Sequence, residues 1–399
     1  MNEELSLCFW TDAPPLLEQP SGNSGIASQI AAILQERVAC VLTRRFHRQL
    51  TKTEIVKAAR GRPVWFYPDA SVFPLRGVAP LVVGMLDCIL FAASLPQIAL
   101  KLRRSGVADI FTLCGADVFF LARVRLMQMA GFATELYLVD EVEAATNYPM
   151  HSFRRRLVRK LIGACLGGAS KVWTISEGFA DYLNEEYSVE ARWLPVPSAM
   201  EPKKAPSATC GTDEVARRIV FCGGINALYD QPLRDLYAEL VEFNTSNTEG
   251  ITYFLELLVY GKPEHFLATL PDRRYILLSV GAPTEERLRR MSSASACFLP
   301  YSFSEDQKTM VATSFSCKIL EYYAAAVPIL VYGPLYASIP RLFRSENLPF
   351  CATTRCELRA ELRGLSHAEP QRYQPLYHAV WRKLHSPEAF KERISSRPQ

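Results

Sequence analysis

Short apolar runs alternate with amphipathic stretches along almost the whole chain. The runs Leu5–Trp10, Val38–Thr43, Val64–Tyr67, Ile110–Leu113, Glu135–Val139, Lys171–Ile175 and Arg192–Leu194 read as strands. Helical patterns lie between them, notably 25–35, 81–104, 116–129 and 153–165. A stretch rich in Pro, Ser, Lys and Gly follows at 197–212 and reads as a linker. The alternation then restarts, with strands expected at 218–221, 253–260, 275–278, 296–299 and 328–332. Helices are expected at 232–243, 283–291, 314–325 and 335–343, and again in a basic tail at 370–394. Strands this apolar, each followed by a helix, predict parallel sheets covered on both faces. The expected fold is therefore α/β, with two Rossmann-like doubly wound domains facing across a cleft. Residues 1–200 form the first domain and 213–375 the second, with a helical tail, 376–399, packing back on the first. Ligands of such folds bind at the carboxyl ends of the strands.

Two stretches bear on membranes. Ala79–Leu100 is about as long and apolar as a membrane span of roughly 20 residues. Asp87 in its middle and Pro96 near its end argue instead for a buried helix of an α/β domain. The second stretch carries Phe153, Arg154, Arg155, Arg156, Arg159 and Lys160, with Leu157 and Leu161 between them. On a helix it is a basic amphipathic surface that either faces water or rests on anionic lipid.

Composition narrows the function classes. The chain has 399 residues, more than one core usually organises, with 49% hydrophobic and 22% charged residues. Its 45 basic and 41 acidic residues leave a net charge of +4, too balanced to predict a nucleic-acid partner. The 11 cysteines form no C-x-x-C pair, and Cys88, Cys114 and Cys297 sit in apolar runs as small core residues. An odd count with no framework fits a reducing compartment. The start Met1-Asn2-Glu3-Glu4 is acidic where a signal peptide is basic, so a cytoplasmic protein is expected. The six histidines join no Cys or carboxylate motif, so neither metal nor cofactor is expected. No Gly-x-Gly-x-x-Gly, P-loop or Gly-x-Ser-x-Gly occurs, which argues against dehydrogenase, kinase and hydrolase chemistry.

The stretch 313–330, TSFSCKILEYYAAAVPIL, carries the clearest chemistry. Ser314 or Ser316 can cap a helix, and Ser314, Lys318 and Glu321 then share one face. A helix N-terminus offers amides and a positive dipole end to a diphosphate, to which Lys318 adds a full charge. Glu321, one turn on, can accept from two ribose hydroxyls. The plainer alternative is an exposed ion pair worth under about 1 kcal/mol. Gly223-Gly224 after the strand 218–221 lets backbone approach a phosphate, or makes an ordinary turn. Asp140, at the carboxyl end of the strand 135–139, can meet an acceptor hydroxyl, and Glu141 beside it less readily.

The stretch 313–330 resembles the donor-site helix of GT-B glycosyltransferases of family 4, especially bacterial exopolysaccharide and lipopolysaccharide enzymes. The segments 172–177 (VWTISE), 194–197 (LPVP), 219–224 (IVFCGG), 257–261 (LLVYG) and 296–301 (ACFLPY) resemble further family segments in order and spacing. By resemblance, Gly22, Asn23, Ser24 and Gly25 form the N-terminal loop under the donor sugar and near the acceptor. Three positions depart from the family. Thr313 stands where many members have the first of two Glu, Val139 where they have a His before the Asp, and no Arg-Lys-Gly follows Gly224, Arg234 being the nearby cation. The resemblance implies transfer of a sugar, with retention, from a nucleotide sugar to a glycan or lipid-linked acceptor. It implies polysaccharide or glycoconjugate biosynthesis, no metal, and work at the inner face of the cell membrane. The alternatives are a non-catalytic GT-B binding subunit and a nucleotide-sugar epimerase or phosphorylase.

Overall fold

Each apolar run that reads as a strand lies in one of two fully parallel sheets. The structure, a computed structural model, describes residues 7–13, 15, 22–44, 59, 62–68, 80–141, 152–202, 216–246 and 250–396. The chain divides into two compact units, 1–197 with 390–399, and 198–389.

The first unit holds β1 (Leu7–Thr11), α1 (Gly22–Ile33), β2 (Val38–Arg44), β3 (Val64–Tyr67), α2 (Pro80–Arg104), β4 (Asp109–Cys114), α3 (Val118–Met129), β5 (Ala133–Leu138), α4 (Ser152–Gly167), β6 (Lys171–Thr174), α5 (Glu177–Tyr187) and β7 (Ala191–Trp193). Its sheet order is β3-β2-β1-β4-β5-β6-β7. The second unit holds β8 (Ala216–Cys222), α6 (Asp230–Ser246), β9 (Thr252–Val259), α7 (Glu264–Ala268), β10 (Ile276–Val280), α8 (Thr284–Ser292), β11 (Ala296–Pro300), α9 (Lys308–Thr313), α10 (Lys318–Ala325), β12 (Ile329–Tyr332), α11 (Ser338–Ser345), β13 (Cys351–Ala352), α12 (Arg355–Leu365) and α13 (Pro370–Val380). Its order is β10-β9-β8-β11-β12-β13. The last helix, α14 (Pro387–Ser395), passes from the second unit to the first at Phe390.

Both orders run outward in opposite directions from a central strand pair, β1/β4 in one unit and β8/β11 in the other. That reversal is where doubly wound folds bind ligands. The central strands are buried on both faces, so they read as unbroken apolar runs rather than alternating ones.

The structure corrects several expectations. The apolar stretch at 79–100 is not a buried helix: its longest apolar part lies in α2 and only 22% of the most apolar window is buried. Its inward stripe includes Phe91, stacked on Trp10 at 5.4 Å, and Leu102. Asp87 is buried there because Arg123 of α3 lies 3.9 Å away. Cys88 is only half-buried, whereas Cys114 and Cys297 are core residues. Asn23 and Ser24 belong to the first turn of α1 rather than to a loop. The expected helix at 314–325 starts only at Lys318, as α10, after a separate short helix α9 that ends at Thr313, and neither serine caps it. Ser314 ends α9 in extended backbone, and Cys317 precedes α10 without a side-chain cap. The side chains of Phe153 and Arg154 lie outside the described residues. Arg159 is paired with Glu186 of α5, which takes it off the free basic surface.

Candidate functional site

In the second unit, chemistry gathers where β8, β9 and β11 end. Tyr322 fixes α10 there. Its buried hydroxyl accepts from the Cys222 amide at 3.1 Å and donates to the Phe298 carbonyl at 3.1 Å, joining the helix to β8 and β11. The Tyr301 hydroxyl accepts from the Ser316 amide at 2.9 Å and holds the turn before α10. The Ile319 and Leu320 amides donate back to the Ser316 and Cys317 carbonyls at 3.1 Å each. Most first-turn amides are therefore occupied, and the Lys318 ammonium carries the positive charge at this end.

Lys318 lies across Gly223. Its Nζ sits 4.1 Å from the Tyr229 ring centre and 5.6 Å from that of Phe221. A Cβ on Gly223 would come 2.4 Å from Lys318 Cε, and the Gly223 φ is +124°, so glycine is required on two grounds. Gly224 is exposed, with open space where a side chain would go. Among the described residues Lys318 has no carboxylate within ion-pair distance. The alternative reading, an i,i+3 ion pair with Glu321, does not form.

Glu321 points instead toward Arg287 of α8. Glu321 Oε1 lies 4.0 Å from Arg287 Nη2, and Cys222 Sγ lies 4.0 Å from Oε2. Burial raises the Glu321 carboxyl above its usual range, opposed by the charges of Arg287 and Lys318. Burial also pushes the Cys222 thiol up to about 11, so it stays protonated and can donate. Arg287 is itself almost buried. Nη1 donates to the Ala282 carbonyl at 3.2 Å, the guanidinium lies 5.4 Å from the Tyr260 ring centre, and Nε has no partner among the described residues. Ser316 Oγ is also buried without one. Arg234 is held by Asp230 within α6 and supplies no free cation. Sequence reasoning missed Arg287. Its signal was the i,i+4 spacing to the buried Met291, which puts this one arginine of the TEERLRRM run on the inward face.

In the first unit, Asn23, Gly115 and Asp140 meet at the carboxyl ends of β1, β4 and β5. The Asn23 amide fills the space a Gly115 side chain would need, 2.6 Å from a Cβ there. Burial raises the Asp140 carboxyl, and a hydrogen bond from Asn23 lowers it in part. Glu141 is buried. Asp12, just after β1, is anchored by the fully buried Arg123 at 3.0 Å and by the Tyr67 hydroxyl at 2.9 Å. Asp117 adds a third carboxylate 3.4 Å from the same guanidinium. No group of three His, Cys, Asp or Glu able to hold a metal occurs among the described residues.

The chain's fold is shared with a set of solved structures. Sucrose-phosphate synthase from Thermosynechococcus elongatus superposes with a TM-score of 0.66 at 13% identity, covering 98% of this chain and 97% of that one. The apo lipopolysaccharide outer core galactosyltransferase WaaB gives 0.64 at 10% identity, covering 98% of each chain. A trehalose-6-phosphate structure from E. coli bound with UDP-2-fluoro glucose gives 0.60 at 11%, again covering 98% of each.

The fold is GT-B.

At these identities the likeness is one of fold. A putative UDP-N-acetylglucosamine 2-epimerase from Listeria monocytogenes shares the GT-B fold at a TM-score of 0.51 and 13% identity, over 99% of this chain and 98% of that one. The chain matches no protein-family model and no curated protein by sequence.

Proposed function

We propose that this chain is a glycosyltransferase of the family 4 type, moving a sugar with retention from a nucleotide sugar to a glycan or lipid-linked acceptor. The observation that carries the reading is the arrangement at the end of β8: Lys318, a cation without an ion pair among the described residues, laid over Gly223, with a desolvated carboxylate, Glu321, one turn away. A leaving diphosphate needs positive charge, and Lys318 with the dipole of α10 supplies it. Glu321 repels phosphate but matches a ribose diol. The exposed Tyr260 ring beside Arg287 offers a flat surface to a base.

Asp140 is the candidate for the acceptor hydroxyl. Its raised carboxyl suits a group that takes and returns a proton. No metal enters this scheme. The reading places the protein in the cytoplasm, at the inner face of the membrane, in polysaccharide or glycoconjugate synthesis. Arg155, Arg156 and Lys160 of α4 are exposed and support peripheral contact with anionic lipid.

A second reading, a GT-B binding subunit without catalysis, is favoured by one observation. Thr313, at the position of the family's first Glu, is buried, and its hydroxyl donates to the Thr309 carbonyl at 2.9 Å. It offers a sugar no carboxylate.

Calorimetry and turnover separate the two. Free nucleotide released from a donor panel in the presence of acceptor supports transfer, and tight donor binding without release supports the subunit. Lys318→Ala should weaken a nucleoside diphosphate about 10- to 100-fold and leave the bare nucleoside nearly unchanged. Equal loss for both ligands would remove the diphosphate from Lys318.

A further inference from the structure

Helix α2 is apolar on both sides, and only one side is used inside the protein. Gly84, Asp87, Phe91, Ile98 and Leu102 form the packed stripe. The opposite stripe is open to water at helical spacing: Leu81 is 46% exposed, Val82 52%, Met85 54%, Ile89 62% and Leu100 50%. At a 1.5 Å rise per residue it runs about 28 Å. Exposed apolar residues are common singly, but a continuous stripe marks a contact surface.

The helix cannot leave the protein to span a bilayer. Gly84 is pressed against the Phe119 ring, Phe91 is stacked on Trp10, and Asp87 faces Arg123. Whatever covers the stripe must come to it side-on.

Charge selects the occupant. From Leu81 to Arg104 the only acid is the buried Asp87, and the exposed last turn carries Lys101, Arg103 and Arg104. Helix α3 packs between α2 and α4, so the three form one layer. That layer also exposes Met129 at 70% and Leu157 at 61%, beside Arg155, Arg156 and Lys160. Exposed acids lie outside that layer, at Asp109 on the start of β4 and at Glu177, Asp181 and Glu185 on α5. Helices α2, α3 and α4 carry no acid except the buried Asp87, so a second copy on the same face would bring no carboxylate to meet the layer's cations. An apolar stripe edged by cations instead matches an interface whose interior is apolar and whose headgroups are anionic.

We propose that the outer stripe of α2 is a membrane-docking surface, seated in the headgroup region of an anionic bilayer with Met85 and Ile89 at its centre. This goes beyond the electrostatic contact assigned to α4 and is independent of the donor site. The electrostatic contact weakens with salt, whereas apolar insertion persists.

Vesicle flotation with full-length protein tests it, using phosphatidylcholine alone and with phosphatidylglycerol, at low and high salt. Wild type should float with anionic vesicles and keep a salt-resistant fraction. Met85→Ser with Ile89→Ser should lower partitioning about tenfold or more at both salts, with an unchanged cooperative thermal melt as the check on folding. Arg155→Glu with Arg156→Glu should remove only the salt-sensitive part. Ile89→Trp should bind at least as well, its emission shifting to the blue with vesicles. No flotation of wild type, or equal flotation of the serine variant, overturns the proposal. So does a wild-type dimer that the serine variant dissociates, or a tryptophan emission that vesicles leave unchanged. Loss of all binding in the arginine variant alone leaves the α4 contact standing and overturns insertion.

Discussion

Replacing Glu321 by glutamine keeps the size of the side chain and removes its charge. The carboxylate is largely desolvated, with Arg287 and Cys222 each about 4.0 Å from an oxygen. A ribose diol bound there would make two hydrogen bonds to a charged acceptor, each worth about 1.5–3 kcal/mol. Glutamine retains one oxygen acceptor but turns the other position into a donor. The expected loss is therefore about one such bond, which weakens nucleoside and nucleotide sugar alike by about 10- to 150-fold. The pH dependence adds a second signature. Because burial raises the Glu321 carboxyl, wild-type affinity should begin to fall, on acidification, above the ordinary carboxylate range. Arg287 and Lys318 oppose that rise, so Arg287→Met should move the acid loss to still higher pH. Glu321→Gln should abolish it. The sign for folding is the reverse. A carboxylate with a raised folded pKa costs stability once it ionises, so Glu321→Gln should be at least as stable as wild type at neutral pH. Calorimetry of uridine- and other nucleoside-series ligands from pH 4 to 8, with thermal melts, reads all of this. A glutamine variant that binds nucleosides like wild type, or that loses binding only because it melts, would refute the ribose role.

Three further perturbations test other parts of the site. Gly223→Ala should cost about 1–3 kcal/mol in backbone strain and displace Lys318, lowering diphosphate affinity more than nucleoside affinity; an unchanged diphosphate isotherm would mean that Lys318 can bind from elsewhere. Asn23→Ala with Ser24→Ala should reduce turnover about tenfold or more with donor affinity intact. It should also move the acid limb of the rate profile upward, since Asp140 loses a hydrogen bond that lowers its carboxyl, and wild-type turnover would reduce these residues to a helix start. Arg123→Met removes the cation shared by Asp12, Asp87 and Asp117, and denaturant unfolding should show a loss of about 3–5 kcal/mol; a loss below 1 kcal/mol would mean that the carboxylates find compensation.

The parallel strands were legible because a strand buried on both faces has no choice but to be apolar. Ile329–Tyr332 and Ala296–Pro300 are buried along their whole length, and their runs stand out. β13 escaped notice because two residues, Cys351 and Ala352, make no pattern. α9 escaped because six residues give fewer than two turns of periodicity, and the helix read at 314–325 began four residues too early because Ser314 and Ser316 looked like caps. Lys318 and Glu321 were readable from spacing within one helix, and their roles rested on flanking segments. Their actual partners were not readable, since Arg287 and Gly223 come from other elements. Periodicity reports which residues share a face, not which face of another element it meets.

Helix α2 shows the same limit from the other side. A soluble core helix, a membrane span and a docked surface helix all need a long apolar run, and Asp87 excludes only the second. What separates the other two is whether the second apolar stripe is covered, and that depends on the layer the helix joins. With α3 as its packing neighbour, one stripe of α2 meets Phe119 and Trp10 while the other faces water. Asp87 is then no obstacle to an apolar helix. It marks the inward side, because only there does the buried Arg123 offset its charge. The same guanidinium holds Asp12 at the end of β1. Within the first unit, Arg123 thus ties helix α2 to the strand that leads into Asn23, and Arg123→Met should loosen both together.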